Sequence, residues 1–321
     1  MVFLRLFRET RVYLFPILKR FLIHIVLWGG LVAVTFGVVI AYHAGPRTDY
    51  FYNRFTQPKA SSLILGSSRA AQGINPSELV EETSVEFFNY SFTNYNSPYG
   101  QCYFNAVKRK FAETTGGITI LEVNPFTLSN YKRNMTGDEE IFEECSTPPS
   151  NMWFVETEPN FEYIIRNYSE DLRTLTGIKS RPYSIYLHDD GWLEIEMPFD
   201  TAYFRKNTEE KVKNYNELTP KMKPSIARWK ALHEMVSYFK KFGNVYLVRV
   251  PVSPEMEKIE RNYYPSFHSE VMALANRSEV DYLNYFHLND SLYFTDGNHL
   301  HCESAKTFSM ILGEDLAKLT K

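Results

Sequence analysis

Between positions 21 and 43 the chain reads FLIHIVLWGGLVAVTFGVVIAYH, 23 residues without a Lys, Arg, Asp or Glu. At 1.5 Å per residue such a helix crosses a hydrocarbon core of about 30 Å, and it has no polar face to turn toward water. A secretory signal would carry a shorter apolar region and a small-residue cleavage motif, which this segment lacks. One uncleaved transmembrane helix over 21–43 is therefore expected. Arg5, Arg8, Arg11, Lys19 and Arg20 precede it against the single acid Glu9. Residues 1–20 then form a cytoplasmic basic segment, spaced to lie along the inner surface, and the chain after position 43 faces away from the cytoplasm, periplasmic or at the cell surface. Tyr42, Tyr50, Phe51, Tyr52 and Phe55 follow at once, as an outer aromatic belt would.

Beyond position 43 the balance reverses, with 30 Lys and Arg against 37 Asp and Glu. An acidic domain offers no continuous basic face for phosphates, so no nucleic-acid partner is expected. Cys102, Cys145 and Cys302 are too few and too scattered for a zinc cluster or a disulfide framework. Outside the cytoplasm Cys102 and Cys302 are a candidate pair.

After a connector over 44–60 come five short runs that suit strands buried on both faces of a parallel sheet: 62–66 (SLILG), 85–91 (VEFFNYS), 118–123 (ITILEV), 245–250 (VYLVRV) and 280–286 (VDYLNYF). Helical patterns cover 98–114, 225–242 (with Gly243 as its C-terminal cap), 256–276 (broken by Pro265) and 303–319. This alternation predicts an α/β domain over 61–321 with a doubly wound parallel sheet. One connection, 125–224, is far longer than an α/β crossover needs. It holds an amphipathic helical pattern over 160–176 and a hairpin turning at Asp190-Gly191, and it reads as a lid-like insertion.

Ligands of open α/β sheets bind where the strands end at their carboxyl side. The first strand runs into Gly66-Ser67-Ser68-Arg69, where either serine is a candidate helix cap and Ser68 a candidate nucleophile. The third ends at Asn124, a candidate donor to an oxyanion. Before the last helix stands Asp296-Gly297-Asn298-His299, a spacing that lets one turn bring a carboxylate to an imidazole and fix its tautomer. His301 is a rival base, five residues from Asp296. No cofactor is implied; His188 with Asp189 and Asp190 is a metal candidate, in a turn where acids are commonly solvated. Trp153, Phe154, Phe161, Tyr163, Tyr183, Tyr186 and Trp192 in the insertion are candidates for sugar stacking or for its own core.

Together these blocks resemble the SGNH/GDSL hydrolase superfamily over 61–125 and 244–316. The resemblance implies a flavodoxin-like order for the doubly wound sheet. It makes Ser68 the nucleophile, His299 the base and Asp296 its orienting acid. The oxyanion donors it implies are the backbone N–H groups of Ser68 and Asn94 with the Asn124 side chain. Ser67, Glu122 and Pro125 stand where the family has Asp, Gly and Asp. The layout is similar to the D-alanyl-transfer proteins of teichoic acid synthesis and to SGNH-like proteins that O-acetylate exopolysaccharides. That likeness implies an esterase or O-acyltransferase acting on envelope carbohydrate beside a membrane-bound O-acyltransferase. The other reading is a binding or assembly protein that keeps the fold without turnover.

Overall fold

A computed structural model describes residues 2–137, 139–168 and 183–320. The chain forms two compact units, residues 1–45 and 46–321. The first is a single helix, α1 (Val2–His43), that runs through Pro16. Its apolar stretch is Pro16–Val39, 24 residues of mean hydropathy 2.2 with none of that window buried, long and apolar enough to cross a membrane. The helix is continuous across the expected boundary at position 21. The hydropathic stretch takes in Ile17 and Leu18 and, with them, Lys19 and Arg20 at its N-terminal end.

The second unit is built on a parallel sheet. Its strands are β1 (Leu63–Leu65), β2 (Phe88–Asn89), β3 (Gly117–Glu122), β10 (Gly243–Arg249) and β11 (Asp281–Asn284). They lie in the order β11-β10-β3-β1-β2, with Leu63 opposite Thr119 and Phe88, and Tyr246 opposite Ile120 and Asp281. All nine residues of β1 and β3 are buried, which is why these runs read as continuous apolar stretches. Helices α2 (Ser68–Gly73), α3 (Pro76–Thr83) and α4 (Gln101–Lys110) fall in the first half of the unit. In the second half are α7 (Ile226–Phe239), α8 (Pro254–Tyr263), α9 (Phe267–Ser278) and α10 (Cys302–Leu319). Ile64, Ile120 and Val248 of the sheet share one core with Ile74, Leu79, Phe308 and Leu312.

The insertion has a closed neck. Its first strand, β4 (Ser129–Tyr131), pairs antiparallel with its last, β9 (Met222–Pro224), so both ends of the excursion meet. Between them come a short ribbon of β5 (Met135–Thr136) and β6 (Glu139–Glu140), helix α5 (Phe161–Tyr168), a hairpin of β7 (Ser184–Leu187) and β8 (Leu193–Glu196), and the long α6 (Thr201–Leu218). The expected helix over 160–176 is present as α5; its remainder, from 169, lies outside the described residues. The hairpin stays out of the main sheet. Its turn instead blunts the edge strand: the Asn89 N–H donates to the Asp190 carbonyl (2.7 Å), and buried Arg54 donates to the carbonyls of Asn89 and Gly191 (3.0 and 2.6 Å). Burial pushes the Arg54 guanidinium down to about 10.

Cys102 is disulfide-bonded to Cys145 and not to Cys302, which is buried and free. Cys302 opens α10, whereas Cys145 lies in a turn (Glu143–Ser146) that packs against α4, and its neighbour Glu144 anchors that turn to α7 by receiving both terminal nitrogens of Arg228 (2.7 and 3.1 Å). A second expectation also fails: Gly243 does not cap α7 but opens β10. The reason is close strand approach, since a Cβ there would lie 1.8 Å from the Gly117 carbonyl oxygen. Gly243→Ala is expected to cost roughly 3 kcal/mol through forced strand separation. Urea unfolding of the detergent-solubilised chain should show a lower midpoint for it, with Asn244→Ala, whose side chain is exposed, near wild type.

Candidate active site

The serine turn is shaped by an acid beneath it. Gly66 has φ +152°, and a Cβ there would meet Glu122 Cβ at 2.6 Å, so only glycine fits. Glu122, fully buried, accepts from both the N–H and the Oγ–H of Ser67 through Oε2 (2.8 and 2.9 Å). Ser67 Oγ also accepts from the Arg69 N–H (3.3 Å) and so caps α2. The capping role thus falls to Ser67. Ser68, first residue of the helix, keeps its hydroxyl for another partner.

That partner is His299, whose Nε2 lies 2.8 Å from Ser68 Oγ. His299 Nδ1 lies 3.0 Å from each carboxylate oxygen of Asp296. A carboxylate only accepts, so the proton is on Nδ1, and Nε2 accepts from the serine and, at a longer 3.3 Å, from Asn298 Nδ2. The loop that carries them is folded on itself. Phe294 bridges Leu300, the Thr295 N–H donates to the His299 carbonyl (2.9 Å), and Asp296 Oδ1 accepts from the N–H groups of Asn298 and His299 (both 3.0 Å). Gly297 turns it at φ +76°, where a Cβ would strike Thr208 of α6 at 2.8 Å.

Two side chains that sequence reasoning did not single out complete the assembly. Arg69, next to the serine, is buried. It donates from Nε and Nη2 to Asn298 Oδ1 (3.0 and 2.6 Å) and pairs through Nη2 with Glu260 of α8 (2.5 Å), which in turn holds Arg249 (2.9 Å). Burial opposes the Arg69 charge, but the Glu260 carboxylate outweighs it and holds the guanidinium above its ordinary value. Lys211 of α6 contacts Asp296 Oδ2 at 2.8 Å. Burial likewise works against the charge on Asp296, yet attraction and hydrogen bonds from His299 and Lys211 prevail and keep its carboxyl well below the usual range.

The expected oxyanion donors divide. Among the described residues the backbone N–H groups of Ser68 and Asn94 donate to no other group. The loop carrying Asn94 is stitched to the serine turn, with the Phe92 N–H and Ser97 Oγ donating to the Gly66 carbonyl (3.2 and 2.6 Å). Asn124 is different. Its Oδ1 accepts from the N–H groups of Phe126 and Thr127, and its Nδ2 is spent on Glu122 and Ser67 (2.7 and 3.2 Å) in a fully buried position. Its side chain is engaged on all sides within the turn. Glu122, two residues before Asn124, is the sequence signal that a carboxylate stands ready to take the Asn124 amide.

The remaining candidates have other tasks. His301 caps α10 through Nδ1, and its Nε2 sits 3.1 Å from the Met197 carbonyl, away from Ser68. His188 is paired with Glu194 (2.9 Å), Asp189 accepts from Asn53, and Asp190 accepts from the Trp192 N–H. No group of three metal-ligating side chains occurs among the described residues. Trp192 and Tyr163 are buried, whereas Trp153, Phe154 and Phe161 are exposed. A cavity of about 150 Å³ opens beside Asn94, lined also by Phe126, Asn130, Tyr131 and Tyr215.

The chain is thus an α/β protein whose parallel sheet carries a Ser–His–Asp array. No family model matches its sequence, and no curated protein matches it either.

The Asp296 charge should be visible in stability. Its folded value lies below the unfolded one, so the carboxylate stabilises the fold above about pH 4, and this contribution fades as pH falls below that. Asp296→Asn keeps the Oδ1 acceptor and removes the charge. Its melting temperature should fall by about 2–4 °C near neutrality, with the gap to wild type closing in acid. A gap that persists unchanged at low pH would contradict the ion-pair origin.

Proposed function

We propose that the protein is a membrane-anchored serine esterase or O-acyltransferase that acts on cell-envelope carbohydrate outside the cytoplasm. One observation carries the reading: an unbroken Ser68–His299–Asp296 relay joins groups 231 residues apart in sequence. The strand order, which by chain position is 2-1-3-4-5, supports the doubly wound flavodoxin-like arrangement of SGNH hydrolases. The Cys102–Cys145 disulfide supports an oxidising compartment, and the basic head before the apolar stretch supports a cytoplasmic N-terminus.

In this mechanism Ser68 Oγ attacks an acyl carbonyl while His299 Nε2 takes its proton. Asp296 stabilises the imidazolium that forms, and the N–H groups of Ser68 and Asn94 receive the oxyanion. His299 then protonates the leaving oxygen, which leaves the acyl group on Ser68. A hydroxyl from sugar or water, deprotonated by His299, attacks the acyl-serine and restores the enzyme. A membrane-bound O-acyltransferase is the natural donor in such a system, and an envelope polysaccharide the acceptor.

The alternative is a binding or assembly protein that has lost turnover. It is favoured by Asn124, whose donors are spent inside the turn. A fluorophosphonate separates the two. It should label Ser68 in the solubilised chain; Ser68→Ala should abolish labelling, and His299→Ala should slow it by about 10³-fold or more. Absence of labelling on a folded wild-type chain favours the assembly reading. For topology, protease added to intact spheroplasts should digest residues 46–321; protection until lysis would reverse the assigned orientation.

A further inference from the structure

The triad acid has a cationic partner besides the imidazole, and it comes from the insertion. Asn207, Thr208, Lys211 and Tyr215 share one face of α6. Asn207 donates to the Thr295 carbonyl (3.2 Å), Thr208 packs over Gly297, Lys211 meets Asp296 at 2.8 Å, and the Tyr215 hydroxyl receives Asn94 Nδ2 at 3.5 Å. Lys211 is not needed to hold the carboxylate in place. Two backbone N–H groups and His299 already do that. What it adds is a positive charge on Asp296 Oδ2, an oxygen that His299 Nδ1 also faces at 3.0 Å.

We propose that Lys211 is a positioning residue that shares Asp296 with His299 and thereby disfavours the imidazolium, so that the insertion sets the pH range over which Ser68 can be activated. The proposal rests on the serine-acylation reading and adds to it a control of the same site. Its sign follows from Coulomb attraction: an Asp296 charge fully available to His299 would favour the protonated ring, and Lys211 both neutralises that charge and repels a second cation. The other charged and titratable groups around the loop are internally matched. On α2, Arg69 is paired with Glu260 of α8, which also holds Arg249 of β10. Glu122 of β3 is occupied by Ser67 and Asn124. Tyr215 of α6 is kept neutral, its hydroxyl pushed up chiefly by burial. Among the described residues Lys211 forms no ion pair besides that with Asp296, and these two charges lie nearest His299.

The test uses the detergent-solubilised full chain and a fluorophosphonate. Labelling rates for wild type, Lys211→Gln and Lys211→Arg are measured from about pH 5 to 9, the range in which a histidine titrates. Gln keeps a hydrogen-bond donor to Asp296 without charge. Its acid limb should move up by about 0.5–1 pH unit, a three- to tenfold slower labelling on that limb, while Lys211→Arg stays at the wild-type position. Superimposable limbs for Gln and wild type overturn the proposal, as does an equal shift in the Arg variant. The imidazole is also titrated directly by NMR with ¹³C-labelled histidine, the His299 signal being assigned by its loss in His299→Gln. If wild type is never labelled, the serine-enzyme reading fails, but this titration still decides: a higher His299 midpoint in Lys211→Gln upholds the charge coupling, and an unchanged midpoint refutes it.

Discussion

A guanidinium without access to water must be neutralised where it lies, and Arg69 meets that demand through Nε and Nη2 by joining three parts of the fold, its Nη1 having no hydrogen-bond partner among the described residues. It reaches Asn298 in the histidine loop and Glu260 on α8 from the residue next to Ser68. The serine and its base are carried on segments that have no local reason to meet. The buried ion pair and the fork on Asn298 hold them in register, so the 2.8 Å contact between Ser68 and His299 follows from a polar core as much as from the loops themselves. Glu122 does the same work beneath the serine turn, where it leaves Ser67 as the cap and Ser68 free.

The insertion is part of this assembly. Its ends are closed by β4 and β9, and its early portion is fastened by the Cys102–Cys145 disulfide and the Arg228–Glu144 pair. Buried Lys110 adds a tie: its ammonium donates to the carbonyls of Gln57 and Val155 (2.6 and 2.7 Å), and burial pushes it down to about 7. With that base secured, α6 lies over the histidine loop and supplies a face of Asn207, Thr208 and Lys211. A segment read from sequence as lid-like therefore builds one wall of the candidate site.

Much of the site was legible because it is local. The turn at Gly66-Ser67-Ser68 follows an apolar strand directly, and Asp296 and His299 are three residues apart, within one loop. Strand runs were equally plain, since β1, β3 and β10 are short, β-branched and almost wholly buried. Roles that depend on an unseen neighbour were not legible. Gly243 looked like a helix cap because it follows α7, yet its lack of a side chain answers to Gly117 on the adjacent strand. Cys302 looked as available as Cys145 because spacing says nothing about which helix end faces which loop. Asn124 looked like an oxyanion donor because a strand-end asparagine can be one, and only its four partners show that it is already occupied.

The sequence by itself determined the apolar N-terminal helix, the α/β class, the overlong connection and the three-residue spacing that lets Asp296 meet His299. Each of these rests on periodicity, run length or spacing within a few residues, which the covalent chain transmits directly. The tertiary structure decided which serine caps and which is free, where the disulfide closes, and that Lys211 from the insertion shares the triad acid. Those outcomes are set by distances between groups tens to hundreds of residues apart. Buried charges and orphan donors must find partners among whatever packing brings near, and no local pattern records which partners those will be.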